Sequence, residues 1–357
     1  MRRERGCEHV NAVEVVDCTL RDGAYVIDFQ FTAEDTRQIV GSLAKAGVRW
    51  IEVGHGLGLG AQPRHGQAAA TDEEYVEAAV AAASGAKVGC FYIAGLGKPE
   101  QMKRARSLGM DFIRIGNNAP EVEMGLADIT AARDMGLFVS SNLMKSYLLS
   151  PREIAECARK VEAAGAHLVT LVDSAGGMLL DEVDAYTRAI REAVSIPVGF
   201  HGHDNLGLAN GASIGALRAG ARFMDSTLQG MGRSAGNACT ETLLLLYERL
   251  GIATGIDYYA VMELGERLIR PRLGRAGISG IQAVSGYAQF HSSFMKHVNE
   301  AAVVHGVDRR KLIVEVSRID RMRPSRELFL EVAARLEKEQ GGRDEALATA
   351  AGEKEDQ

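Results

Sequence analysis

The sequence predicts a (β/α)8 (TIM) barrel followed by a small helical domain, and three observations carry that prediction. First, one junction recurs through the first two thirds of the chain: an amphipathic helix ends, a glycine follows, and an apolar run begins. Glycine after a helix is the usual left-handed cap, because it lacks the Cβ that penalises that conformation. Second, the apolar runs are nearly continuous, as in Leu168-Val169-Thr170-Leu171-Val172, which suits parallel strands covered on both faces. Third, eight such βα units follow one another. An open doubly wound sheet is the alternative, but no Gly-x-Gly-x-x-Gly follows the first strand.

The elements follow in order. Val13–Asp17 is the first expected strand. Thr32 with Asp35 opens the first helix, and Ala46-Gly47 closes it before Arg49–Val53. A looser junction at Gly85 leads into Lys87–Ile93. Leu108-Gly109 precedes Phe112–Ile115, and Met135-Gly136 precedes Leu137–Ser140. Ser150-Pro151-Arg152-Glu153 is a capping box with proline at the first helical position; its helix gathers Ile154, Cys157, Ala158 and Val161 on one face. Ala164-Gly165 precedes His167–Val172, Ile196-Pro197 leads into Val198–His201, and Ala219-Gly220 precedes Arg222–Asp225. After residue 255 the rhythm stops. Tyr258–Ile269, Gly286–His305, Asp308–Arg318 and Ser325–Lys338 have helical patterns. The expected organisation is a barrel over 9–255, a helical domain over 256–338 and a polar, disordered tail over 339–357.

Composition narrows the function. The 357 residues carry a net charge of −6 and are 46% hydrophobic, an ordinary globular composition. Mild acidity gives no reason to expect nucleic acid or an anionic membrane as partner. No apolar run has the length of a membrane span. Met1 to His9 is charged without an apolar stretch, unlike a secretory signal. Cys7, Cys18, Cys90, Cys157 and Cys239 are scattered, with no Cys-x-x-Cys pair. A reduced, cytoplasmic protein with cysteines as small core residues is the simplest reading.

In a (β/α)8 barrel the reactive groups lie at the C-terminal ends of the strands. There the sequence places Asp17-Cys18-Thr19-Leu20-Arg21-Asp22-Gly23, Glu52-Val53-Gly54-His55, Ser140-Ser141-Asn142, Asp173-Ser174-Ala175-Gly176-Gly177, His201-Gly202-His203 and Asp225-Ser226-Thr227. His201 and His203 are two apart on a strand, so their imidazoles point to one side. Two solvent-facing histidines are the plain alternative. Asp22, at a turn with Gly23, can join them as a third ligand. Two histidines and one carboxylate, with water or substrate completing the shell, describe a catalytic metal site. Asn237 can add a fourth ligand, through its amide oxygen. Such a mixed set suits Mn²⁺, Mg²⁺ or Zn²⁺. Arg21 beside the metal is a good oxyanion stabiliser, with an ion pair at the rim as its structural alternative. The turn from Ser174 to Gly177 can offer backbone N–H groups to a carboxylate, or be a tight loop only.

Together these residues resemble the metal-dependent pyruvate lyases and synthases with a (β/α)8 barrel, a superfamily that includes 3-hydroxy-3-methylglutaryl-CoA lyase, isopropylmalate synthase and 4-hydroxy-2-oxovalerate aldolase. The carrying motifs are Thr19-Leu20-Arg21-Asp22-Gly23, Phe200-His201-Gly202-His203-Asp204-Asn205 and Gly232-Arg233-Ser234-Ala235-Gly236-Asn237. The aldolase branch is the most similar. Glu52 to Gly60 resembles its second-strand loop, Asp173 to Met178 its sixth-strand turn, and Gly286 to Phe294 its helical domain. The resemblance implies metal binding by Asp22, His201 and His203 and a catalytic Arg21. Glu52, His55, Asn142 and Ser174, at neighbouring strand ends, are the expected substrate-binding residues. Asn237 matches a ligand of some members but not of the aldolase branch. Mn²⁺ is the expected metal, with Mg²⁺ or Zn²⁺ as alternatives.

Two positions depart from that branch. It carries a catalytic histidine where this chain has Tyr25, and a tyrosine where this chain has His291. The exchange leaves Tyr25 and His291 as the expected acid–base pair, with His55 as a third candidate for the base, or marks a different substrate. The implied reaction is cleavage or formation of a 4-hydroxy-2-oxo acid from a 2-oxo acid and an aldehyde. The rivals are a claisen-type acyl-CoA transferase, disfavoured because those synthases usually carry glutamine near Tyr25, and a non-catalytic binding barrel. A homo-oligomer is expected. In the aldolase branch the C-terminal helices also contact an aldehyde dehydrogenase.

Overall fold

The computed structural model describes residues 13–62, 65–233, 235–273, 280–281, 284, 288, 290, 294–320 and 324–352. Eight parallel strands close into one barrel in sequence order. They are β1 (Glu14–Leu20), β2 (Trp50–Val53), β3 (Lys87–Ile93), β4 (Phe112–Asn118), β5 (Phe138–Met144), β6 (Leu168–Asp173), β7 (Val198–Gly202) and β8 (Phe223–Ser226). The ring closes where Glu14 to Asp17 pair with Phe223 to Ser226. Eight helices cover the barrel: α1 (Ala33–Lys45), α2 (Asp72–Ala82), α3 (Pro99–Ser107), α4 (Leu126–Asp134), α5 (Pro151–Ala163), α6 (Leu180–Ala193), α7 (Ala209–Arg218) and α8 (Thr240–Arg249).

The local signals act as their chemistry requires. Thr32 and Ser150 each accept a hydrogen bond from the N–H three residues on, and Asp35 and Glu153 return it. Gly47, Gly109, Gly136, Gly165 and Gly220 all have φ between 73° and 106°, the region a side chain disfavours.

The barrel interior is layered by the two-residue period of its strands. At the N-terminal end the Trp50 ring packs against Phe112, Phe138 and Phe223, with centroids 5.3, 4.9 and 5.4 Å away. The Lys87 ammonium lies 4.4 Å from the Trp50 ring. Two residues further along the same strands come Glu52, Arg114 and Asp225, all buried. This charged middle layer departs from the branched aliphatic filling usual in such barrels. Gly89 makes room for the aromatic floor, because a Cβ there would sit 2.3 Å from the Phe112 ring.

The chain divides into two compact units, Met1–Gly277 and Ile278–Gln357, which moves the expected boundary at 255/256. Helix α9 (Tyr258–Leu264) belongs to the first unit. The Asp257 N–H donates to Ala46 O at 2.8 Å, and Val261, Leu264 and Ile269 join the apolar cluster that holds Leu43, Leu244 and Tyr247. The second unit contains α10 (Met295–His305), α11 (Arg309–Ile319) and α12 (Arg326–Gly352). Helix α12 runs through most of the stretch expected to be a disordered tail. Alanine, glutamate, lysine and leucine are strong helix formers and outweigh Gly341 and Gly342, at ~1 kcal/mol each. Residues 353–357 lie outside the described residues.

Gly89→Ala forces the Phe112 ring to move within a packed interior. It is expected to lower stability by ~1–3 kcal/mol, read as a lower midpoint of denaturant unfolding with an unchanged slope.

Asp17 gives a second expectation. Its carboxylate accepts from Thr19 N and Thr19 Oγ1, both at 3.0 Å. Burial nevertheless pushes its pKa up to about 7, against those two bonds and with added repulsion from Glu241 and Glu52. Between its ordinary value and 7 the native state holds one proton more than the unfolded chain, so stability falls as pH rises through that window. Asp17→Asn removes that slope. At pH 8 the variant should be more stable than the parent by a few kcal/mol, because holding a proton site ten times tighter in one state is worth ~1.4 kcal/mol. The gain should vanish at pH 4.

Candidate metal centre

The mouth of the barrel gathers three ligands from two strand ends. His201 is the penultimate residue of β7, His203 follows the strand, and Asp22 lies in the turn after β1. The Asp22 N–H bonds back to Cys18 O at 2.9 Å, which fixes that turn. One ligand atom from each of Asp22, His201 and His203 lies within 4.8 Å of the others, and all three residues are buried.

Each imidazole is oriented by a partner on its Nδ1. His201 Nδ1 lies 2.8 Å from Asp225 Oδ2, and His203 Nδ1 lies 3.2 Å from Gly236 O. A carbonyl only accepts, so the His203 ring donates there. The Asp225 carboxyl is held below its ordinary range: burial raises it, but Arg114 and His201 outweigh burial. An ionised Asp225 also only accepts, so Nδ1 of His201 carries the proton. Both rings therefore keep Nε2 for a metal. Burial, with His201 adding to it, pushes the His203 pKa down, which favours the neutral, ligating form. Asp22 is held well below the usual carboxylate range; burial opposes this, but Arg21, the two histidines and Asn237 prevail.

Asn237 adjoins this set. A single antiparallel bridge pairs it with His203. Its Nδ2 donates to Asp22 Oδ2 at 2.6 Å and to Met231 O at 3.2 Å, which leaves Oδ1 buried without a hydrogen-bond partner. An ionised carboxylate, two imidazoles and an orphaned amide oxygen fit a divalent cation of intermediate hardness. A second cluster, Cys18, His201 and Asp225, is equally close. It fits a cation poorly, because burial pushes the Cys18 thiol well up and Asp225 is already paired with Arg114.

Arg21 anchors the triad from the side. Its Nε donates to Glu52 Oε2 and its Nη1 to Asp22 Oδ1, both at 2.7 Å. The Phe91 ring lies 4.5 Å from its Cζ. Nη2 has no partner among the described residues and the side chain lines the cavity above the triad. That cavity, of about 90 Å³, is also lined by Tyr25, Asn142, Ser174, His201 and His203. Burial raises the Tyr25 pKa, so its phenol stays protonated at neutral pH.

Other expected shell residues are placed elsewhere. Glu52 is not among the residues lining that cavity; it is fully buried between Arg21 and Arg114. His55 stacks on Phe29 with centroids 4.0 Å apart, and its Nδ1 accepts from Leu57 N. The turn after β6 has little backbone to offer a carboxylate, because the N–H groups of Gly176, Gly177 and Met178 all bond to Asp173. It is chiefly a tight loop. His291 lies outside the described residues.

Three further residues carry the site, although no motif marks them. Asp225 orients His201, and Arg114 ties Asp225 to Glu52. Their signal in the sequence is a charge inside an otherwise apolar parallel strand. Glu241 accepts from Gln229 N at 2.9 Å and from Gln229 Nε2 at 2.8 Å. It thereby holds Gln229 at φ 57°, in the turn that starts the Asn237 loop. No linear pattern announces that contact.

Fold and site together define a (β/α)8 barrel with a two-histidine, one-carboxylate metal centre beside a buried arginine. The HMGL-like family profile matches residues 12–268, and the chain belongs to that family. It is 37% identical over 333 residues to 4-hydroxy-2-oxovalerate aldolase of Moorella thermoacetica, covering 93% of this chain and 98% of the relative. It is 36% identical to 4-hydroxy-2-oxovalerate aldolase 2 of Rhodococcus opacus, covering 91% and 94%. Among solved structures, hydroxymethylglutaryl-CoA lyase of Pseudomonas aeruginosa superposes with a TM-score of 0.65 at 23% identity, covering 78% of this chain and 98% of that one. HMG-CoA lyase of Brucella melitensis gives 0.63 at 20%, covering 71% and 96%. These two likenesses speak to the fold. No helix among the described residues is long and apolar enough to cross a membrane.

Asp225→Asn keeps the shape of the residue and removes the charge that fixes His201. Its apparent affinity for Mn²⁺, measured by titration calorimetry, should fall by about 10–100-fold. An unchanged affinity would show that Asp225 serves the barrel and not the metal.

Proposed function

We propose that this protein is a divalent-metal-dependent aldolase that joins pyruvate to an aldehyde, or cleaves the resulting 4-hydroxy-2-oxo acid. The convergence of Asp22, His201 and His203 beneath Arg21 carries this reading. It is supported by similarity over nine tenths of the chain to relatives named for that reaction. Asp22, His201 and His203 hold the metal, with Asn237 as a fourth contact. A divalent ion held there supplies Lewis-acid stabilisation of the 2-oxo group.

The chain's own residues do the rest. Arg21 offers Nη2 to the oxygen at C2, where negative charge grows as the C3–C4 bond breaks and the enolate of pyruvate forms. Its two carboxylate partners and the Phe91 face hold it rigid, so little reorganisation is needed. In condensation the protonated phenol of Tyr25 gives its proton to the new C4 alkoxide. Cleavage is the microscopic reverse, in which the same oxygen, as phenolate, takes that proton back. His291 is the other candidate for this step. Asn142 and Ser174 line the cavity and position the 2-oxo acid. Mn²⁺ is the proposed metal, a homo-oligomer the proposed assembly and the cytoplasm the proposed location, the last supported by four buried free cysteines.

Chelation should abolish pyruvate release from 4-hydroxy-2-oxo acids, and Mn²⁺ should restore it. Arg21→Lys should lower kcat about 10²–10³-fold while Mn²⁺ still binds. Tyr25→Phe should lower it about 10²–10⁴-fold. Full turnover in both Tyr25→Phe and His291→Ala would remove the pair from the chemistry, and turnover after thorough metal removal would sink the metal-dependent reading.

A further inference from the structure

Three arginines stand at or below the barrel mouth, and their pairing differs. Arg21 is bonded to Asp22 and Glu52, and Arg114 to Glu52 and Asp225. Arg233 forms no ion pair among the described residues. It is held at the site all the same. Its backbone N–H lies 3.4 Å from Asp22 Oδ2, its guanidinium carbon lies 5.5 Å from the Tyr25 ring centroid, and its exposed side chain lines the same cavity as the metal triad.

The remaining wall of that cavity is apolar: Leu57, Phe91, Ile93, Met144 and Val172. The one acidic group that lines it is Asp22, already committed to Arg21 and Asn237. The cavity thus offers a place for a short carbon chain and, at its rim, one unneutralised guanidinium. Resting on the aldolase reading above, we propose that Arg233 selects an acceptor aldehyde bearing a carboxylate at the end remote from its carbonyl. The product is then a 4-hydroxy-2-oxo dicarboxylate. A guanidinium presents a planar fork that matches a carboxylate, and a charge-assisted pair outweighs a neutral contact. Tyr25 is shared by the two ends: its ring neighbours Arg233, and it lines the same cavity as Arg21. An aldehyde held by its carboxylate at Arg233 therefore brings its carbonyl carbon back toward the group that donates the proton. The reaction balances as an addition: the methyl proton lost as pyruvate forms its enolate passes to solvent water, C3 of the enolate bonds the aldehyde carbon, and Tyr25 gives its phenolic proton to the new alkoxide and regains one from water.

The test compares 4-oxobutanoate with butanal as acceptors for pyruvate in the full-length Mn²⁺-loaded enzyme and in Arg233→Met and Arg233→Lys. The parent should favour 4-oxobutanoate in kcat/KM. Arg233→Met should cut the ratio of the two kcat/KM values by about 10–100-fold, mostly through KM. Arg233→Lys should keep part of the preference, because the charge remains and the fork is lost. Exchange of the pyruvate methyl protons for deuterium, followed without any aldehyde, separates the role of Arg233 from the aldolase reading beneath it. Exchange together with a preference for butanal, or with a ratio that Arg233→Met leaves unmoved, overturns the role of Arg233 and leaves the aldolase reading standing. Absence of exchange overturns the aldolase reading and this inference with it.

Discussion

A closed line of alternating charge runs through the barrel, and the site depends on it. From Asp22 it passes to Arg21, Glu52, Arg114 and Asp225, and ends on His201. Its two ends, Asp22 and His201, meet again in the metal triad. Every link is buried, so no link can be lost cheaply: removing one partner strands a charge away from water, at about 3–5 kcal/mol. Such networks add little net stability compared with apolar packing. What this one supplies is geometry, because each guanidinium is held by two acceptors and each carboxylate by at least one donor of fixed direction.

That constraint explains the layering beneath it. A charged layer inside a barrel needs a dry, filled floor, or water would enter and screen it. Trp50, Phe112, Phe138 and Phe223 fill the N-terminal end. Their bulk is accommodated where the facing strand carries glycine, as Gly89 does for Phe112. The same two-residue period steps from floor to charge on three strands: Trp50 to Glu52 on β2, Phe112 to Arg114 on β4, and Phe223 to Asp225 on β8.

Much of this was legible in the sequence. The glycine junctions named the ends of five helices, the strand order followed from the βα count, and period two placed His201 beside His203. The legible signals are local, carried by residues a few positions apart. Arg114 and Asp225 are 111 residues apart, and nothing in either strand alone says that they meet. Glu52 shows the reverse case. Its position at a strand end resembled a substrate contact, but the barrel's curvature sets it between two guanidiniums. The first compact unit runs past residue 255 for a related reason. The βα rhythm ends near residue 255, yet Val261 and Leu264 still bury their side chains in the barrel's own apolar cluster.

The charge line also bears on why this mouth holds a cation. Asp22, Glu52 and Asp225 are three carboxylates against the two guanidiniums of Arg21 and Arg114. One negative charge is left over in this buried set, and Asp22 is the member of it that joins the triad. An uncompensated buried charge is costly. A divalent cation between Asp22 and the two imidazoles reverses the balance to one positive charge, beside the place where an anionic substrate and its developing oxyanion arrive. The excess carboxylate that is unfavourable on its own is thus the group that makes the loaded site a good host for an enolate. Stability and catalysis draw on one charge, and binding free energy at the triad is also folding free energy for the barrel that surrounds it.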